Sequence, residues 1–238
     1  MKLIKKYGTA VLGLILIGLL VGFTEQRHAQ RQVQRVEVLV HPAVGGLFTT
    51  PTELLQHLDS ETDSFRGIYL EEINSGLLEE KLSAHPMVQK AEVYFDWNGV
   101  LYLEVSQREP ILRFFDGEEQ FYWDEEGEKM PLSEHYTAHV PLFYGAPSDT
   151  AELYDLVMAL RADEFCCAHI SGISEEGEDY VFTARKGRHR IVLGSADQFE
   201  EKMERLQLFY EKTIPQVGWN KYSTVNLKYA GQVVCSTK

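Results

Sequence analysis

The chain has 238 residues, 36 of them acidic and 23 basic (Lys and Arg), for a formal net charge of −13. So acidic a chain argues against a nucleic-acid surface, which needs positive charge to meet phosphate, and against a domain lying flat on anionic lipid. The 44% hydrophobic and 25% charged composition is that of a folded protein, and Cys166, Cys167 and Cys235, with no CxxC pair, form neither a disulfide framework nor a zinc ribbon.

The first predicted element is a membrane anchor. Ala10 to Phe23 is apolar and broken only by glycine, and residues 7–24 carry no charge. That length is at the short end of what spans a bilayer. The exit through Val21, Gly22, Phe23 and Thr24 lacks the small-residue pattern of a cleavage site, so residues 7–24 read as a retained anchor. Residues 1–6 hold Lys2, Lys5 and Lys6, and Arg27, Arg31 and Arg35 follow the span. The amino terminus breaks this near-tie, leaving residues 1–6 cytoplasmic and the bulk of the chain outside. Residues 25–32 read as a polar stalk.

Val33 to Val40 alternates as a strand, with Val36, Val38 and Val40 on one face. Thr50, Pro51 and Glu53 start a helix through a capping box with Pro at the first position. It ends near Leu58. Asn74 or Ser75 opens a second helix, with Leu77, Leu78 and Leu82 as its buried stripe and His85-Pro86 as its stop. Val88 to Phe95 and Val100 to Val105 form a hairpin around Asp96-Trp97-Asn98-Gly99, whose Asn-Gly pair favours a tight turn. Residues 33–109 thus read β-α-α-β-β, two helices over a three-stranded sheet.

Residues 110–238 read as a mixed, β-rich domain. Short strands are expected at Ile111 to Phe115, Gln120 to Trp123 and Leu142 to Tyr144, with a loop from Pro131 to Pro141. Asp149 to Arg161 is a helix with Leu153, Leu156, Val157 and Leu160 on one side. Cys166 to Ile173, Tyr180 to Ala184 and Arg190 to Leu193 read as strands. Ser195 to Gln198 reads as a second capping box before a helix whose face is Phe199, Met203, Leu206 and Tyr210. Pro215 and Gly218 stop it. A hairpin of Ser223 to Tyr229 and Gln232 to Cys235, turning at Ala230-Gly231, closes the chain.

Catalytic and metal-binding patterns are weak throughout. His135 and His139 have a helical ligand spacing but sit between two prolines, where a helix is not expected, so they read as loop residues. The acids of Glu109 to Glu128 fall at turns and lack the calcium-loop pattern. Arg185, Lys186, Arg188, His189 and Arg190 form a basic turn, with an anionic ligand as the sharper alternative. No nucleophile, zinc or phosphate-loop motif appears, so catalytic residues, metal and cofactor are each expected to be none. The last strand is the feature with a functional reading, because a terminal strand at a sheet edge offers unpaired N–H and C=O groups to a partner strand.

In its order of parts the chain resembles the FtsQ/DivIB family of bacterial cell-division proteins. The run from His85 to Val93 resembles the family's entry into the second strand of its POTRA module. Leu101 to Pro110 resembles the strand that leaves it, with Arg-Glu-Pro in place of the family's Glu-Arg-x-Pro. Trp123 to Gly127 fits the family's aromatic-Asp-x-x-Gly turn. Val225-Asn226-Leu227-Lys228-Tyr229 resembles its Asp-Leu-Arg-Tyr strand, with Asn226 and Lys228 substituted.

The resemblance implies an α+β fold: a single N-terminal transmembrane helix, a POTRA-like β-α-α-β-β module, then a mixed β-rich domain with helices ending in a strand hairpin. It implies a non-enzymatic scaffold of the divisome in the inner membrane, with its bulk periplasmic at the division septum. Partners of the FtsB/FtsL type are implied to bind by strand addition at Tyr229, Ala230, Gly231, Gln232, Val233 and Val234. Neither nucleic acid nor a small-molecule substrate is expected. The alternatives are another POTRA-containing envelope protein, in secretion or outer-membrane assembly, and an anchored envelope enzyme.

Overall fold

The computed structural model describes residues 31–43, 45–58, 62–117 and 119–237. The expected anchor at residues 7–24 lies outside them, as do residues 1–6 and all but the last two residues of the expected stalk. No helix among the described residues is long and apolar enough to cross a membrane. The described chain forms two compact units, one of residues 31–43 and 47–107, the other of residues 108–237 with 45–46.

In the first unit, β1 (Arg35–His41), β2 (Val88–Phe95) and β3 (Val100–Gln107) make a sheet of order β1-β3-β2, with β1 parallel and β2 antiparallel to β3. Two helices, α1 (Pro51–His57) and α2 (Ser75–Ser83), pack against it, and Val33, Leu58 and Phe65 outside these elements complete the core. Leu54 and Leu82 from the helices meet Ala91, Val93, Leu101, Leu103 and Val105 from the strands. The expected capping box is present: Thr50 Oγ accepts from Glu53 N, and the Glu53 carboxylate accepts from Thr50 N. Asn74 caps α2 by accepting from Leu77 N. Gln107 closes the end of β3 through its side-chain amide, its Oε1 accepting from Phe48 N and Thr49 N while its Nε2 donates to His41 O.

Two expectations for this unit need correction. The stripe of α2 is Leu78 and Leu82, four residues apart, whereas Leu77 lies a hundred degrees round the helix and is 48% exposed. The β2–β3 turn is also wider than a two-residue Asn-Gly turn. Asp96 N donates to Val100 O, enclosing Trp97, Asn98 and Gly99, and the Asp96 carboxylate accepts from Asn98 N and Val100 N. Gly99 is required on two counts: its φ is +80°, and a Cβ there would sit 2.8 Å from Gln32 O.

The second unit is one nine-stranded sheet of order β12-β11-β10-β9-β8-β7-β4-β5-β6. Its strands are β4 (Pro110–Phe115), β5 (Gln120–Asp124), β6 (Lys129–Met130), β7 (Leu142–Tyr144), β8 (Ile170–Glu176), β9 (Asp179–Ala184), β10 (Arg190–Gly194), β11 (Tyr222–Asn226) and β12 (Val234–Thr237). Two parallel connections carry its helices. Between β7 and β8 run α3 (Thr150–Ala162) and α4 (Glu164–His169), and between β10 and β11 run α5 (Phe199–Lys212) and α6 (Ile214–Val217). The predicted stripe Leu153, Leu156, Val157 and Leu160 is fully buried, and it shares one core with Met203, Leu206 and Tyr210 of α5.

Three expectations fail here. Cys166 to His169 is helical, because Asp163 ends α3 and at once caps α4 by accepting from Cys166 N. The strand therefore starts only at Ile170. Ser195 is not a helix cap: its hydroxyl donates to Asp197, and α5 begins after Gln198, which has φ +55° and no side-chain cap bond. Pro215 opens α6 instead of stopping the helix, and Gly218, at φ +80°, ends it. The final hairpin is also displaced along the chain, as described below.

The start of this unit turns on a buried charge. Asp124 has no exposed surface. One of its oxygens accepts from Arg108 Nη1 at 2.7 Å and the other from Glu126 N and Glu128 N. From α3, Arg161 pairs with both Glu109 and Glu125. Asp124→Ala is expected to destabilise the full chain by about 2–4 kcal/mol, since it removes the carboxylate paired with Arg108 and leaves two backbone donors unmet. The midpoint of urea unfolding should fall accordingly, whereas alanine at the exposed turn residue Asp116 should move it by under about 1 kcal/mol.

Candidate interaction edge

The strand at one end of the nine-stranded sheet is β12, and among the described residues it pairs with β11 alone. Its register is Asn226 opposite Val234, Val225 opposite Cys235 and Thr224 opposite Ser236. The strand before it is fixed from its inner side. Beyond β11, Leu227 N donates to Val192 O of β10. Backbone polar groups alternate in direction along a strand. Leu227 and Val225 therefore face β10, while Asn226 and Thr224 bond to Val234 and Ser236. The backbone N–H and C=O of Cys235 then point outward, to the open edge.

This edge is poorly defended. Val234, Cys235, Ser236 and Thr237 include no charge and no proline, the devices that usually keep edges from pairing. The edge strand β2 of the first unit is different. It carries Lys90 and Glu92, ion-paired to each other, and its Val93 N–H is taken by the Glu79 carboxylate of α2 at 2.8 Å. At the far end of the second sheet, β6 is only two residues long.

The loop between β11 and β12 is held chiefly by one side chain, with Asn226 Oδ1 accepting from Lys228 N at its start. Arg205 of α5 donates to three carbonyls: Tyr229 O at 2.6 Å, Gln232 O at 2.9 Å and Leu227 O at 3.1 Å. Gln232 N closes the turn onto Tyr229 O. Lys228 reaches across to Asp179 at 2.7 Å, and that hydrogen bond raises the pKa of its ammonium group. Lys202, also on α5, donates to Ser195 O, and burial draws its pKa downward. Within this frame Tyr229 is 56% exposed, and so is Leu208 at 55%, one turn along α5 from Arg205.

The structure places the six expected residues as follows. Tyr229, Ala230, Gly231 and Gln232 are exposed loop residues, Val233 packs partly against the core, and Val234 is the first residue of β12. The strand expected at Gln232 to Cys235 runs instead from Val234 to Thr237, and its partner ends at Asn226, not Tyr229. Arg205 escaped the sequence reading. It is one of three basic residues on a helix that also carries four Glu, and no local pattern says which carbonyls it will reach. Of the other candidates, His135 and His139 lie in the loop between Met130 and Leu142, and no group of three metal-ligating side chains gathers among the described residues. Arg185 to Arg188 form the expected turn.

Two protein-family descriptions match successive parts of the chain. Residues 109–236 match the family described as FtsQ/DivIB, C-terminal related, and residues 31–106 match the POTRA-like domain. The chain belongs to the FtsQ/DivIB family. The family match covers β4 to Ser236, three of the four residues of the edge strand included. The protein described as cell division protein FtsQ of Rhodothermus marinus is 28% identical over 221 residues, covering 85% of this chain and 77% of that protein. The solved major extracytoplasmic domain of the cell-division protein DivIB of Geobacillus stearothermophilus, in its trans isomer, is 13% identical with a TM-score of 0.33, over 46% of this chain and 97% of that one.

Arg205→Ala is expected to loosen residues 227–232 without unfolding the sheet. Losing three charge-assisted bonds at a half-buried site should cost about 1–2 kcal/mol of stability. Amide exchange should accelerate at Gln232 and stay unchanged along α3.

Proposed function

We propose that this chain is a membrane-tethered scaffold of the bacterial division machinery that works by binding other division proteins. Residues 7–24 anchor it in the inner membrane, residues 1–6 are cytoplasmic, and the bulk lies in the periplasm at the septum. Residues 33–109 form a recruitment module and residues 110–238 the partner-binding domain. It is not an enzyme and uses no cofactor. The partner is of the FtsB type, from the FtsB–FtsL pair, and it adds a strand to β12. Family membership supports the division role. The observation that carries the binding mode is an uncharged terminal strand with the Cys235 N–H and C=O turned outward. Tyr229 to Gln232, held by Arg205, flank the strand as side-chain contacts, and Val233 and Val234 lead into it.

The outward amide of Cys235 gives a test that separates edge pairing from folding. Proline at an edge position with its N–H toward solvent leaves the inner ladder intact. Cys235→Pro should therefore reduce co-purification of an FtsB-type partner by about tenfold, the worth of one main-chain hydrogen bond of ~1.4 kcal/mol. Cys235→Val, which keeps the amide, should bind as the parent does. If the proline variant bound normally with an unchanged melting temperature, strand addition at β12 would be wrong.

A further inference from the structure

A second site lies away from the edge, beside the start of β4. There a cavity of about 210 Å³ opens between β4, α3, α4 and the loop that precedes β7. Its floor is Ile111, Val157, Leu160 and Ile170, all buried and apolar. Its rim is cationic or polar: Arg161, Arg185 and His139, with the exposed thiol of Cys167. The two guanidinium groups differ. Arg161 is neutralised by Glu109 and Glu125. Arg185 makes no ion pair among the described residues, and its backbone N–H and Nη2 are tied to His169 O and Ile170 O at 2.7 and 3.0 Å. That anchoring orients the head of Arg185 at the rim and leaves its remaining donors available.

The combination is selective in charge and size. On a chain of net charge −13, a rim with an unneutralised guanidinium runs against the average field and favours an anion. Arginine presents parallel donors that match a carboxylate. The floor offers no polar partner, so the rest of the ligand must be apolar. An apolar cavity of about 150 Å³ accommodates benzene, so the space here suits a ring or short chain with a carboxylate arm.

We propose that this cavity binds a small carboxylic acid, with its carboxylate on Arg185 and its apolar ring or short chain on the floor formed by Val157, Leu160 and Ile170. The site is separate from β12, and its occupancy does not require strand addition.

The test uses the full chain in lipid nanodiscs, with empty nanodiscs as the blank, and follows para-fluorohydrocinnamate by fluorine NMR. Saturable line broadening is expected, reversed by unlabelled hydrocinnamate and not by phenylpropylamine, which has the same ring and the opposite charge. Arg185→Glu should weaken binding by about tenfold or more, with an unchanged circular dichroism spectrum, and Arg185→Lys should keep part of it. No saturable broadening, equal displacement by the amine, or an Arg185→Glu variant that binds as the parent does would each overturn the proposal.

Discussion

The second unit depends on how the carboxylate of Asp124 is met. It has no contact with water, so the protein must supply every partner, and an ion left alone there would be far costlier than the pair is beneficial. Arg108, two residues before β4, satisfies one oxygen, and the backbone of the β5–β6 turn satisfies the other. Glu125, in the same turn, passes the network on to Arg161 of α3. Strand entry, turn and helix are thus fixed by one set of charges. The β6 end of the sheet is closed by this network and by the brevity of β6 itself, which leaves few free backbone groups.

The opposite end of the same sheet is arranged differently. At β12 no charge, proline or covering helix among the described residues blocks the outer backbone, yet the strand does not drift. Its register is set on one side by β11, which is itself pinned to β10 through Leu227, and at its start by Arg205. The result is an edge that is ordered and unpaired together. A partner strand would meet a preformed template and avoid part of the ordering cost that weakens most peptide binding. In the first unit, Glu79 occupies an edge amide that could otherwise serve in the same way. The difference between β2 and β12 is therefore chemical, not topological.

Much of this fold was readable from local pattern. The β2–β3 strands alternate cleanly, the α3 stripe repeats at helical spacing, and Thr50 and Asn74 cap where expected. Some failures are local, as at Leu77, the Asp96 turn and Ser195, and others depend on contacts distant in sequence or on one residue serving two elements. Phe165 to Ile170 is apolar enough for a strand, and only Asp163, ending one helix while capping the next, makes it helical. The final hairpin was recognisable as a hairpin, but its register was not. Val225 to Tyr229 alternates well enough to read as strand throughout, and the chain leaves β11 after Asn226, where the Asn226 side chain accepts from Lys228 N and Arg205 holds the carbonyls of Leu227, Tyr229 and Gln232. So the terminal edge was legible, while the residue that shapes it and the outward amide of Cys235 were not.

That register has a consequence for selectivity. Main-chain pairing supplies affinity but reads no sequence, so an edge recognised only through its backbone would accept any strand. With four residues in β12, a strand partner of the proposed kind would have to be chosen by what flanks it. Tyr229 and Leu208 are the large apolar side chains exposed beside the Arg205 anchor, and Lys228 adds a cation already balanced by Asp179. An aromatic anchor beside a main-chain template is the usual division between specificity and affinity at such interfaces. Under the proposed strand addition, the loop residues expected from sequence would select the partner and the strand found two residues later would hold it.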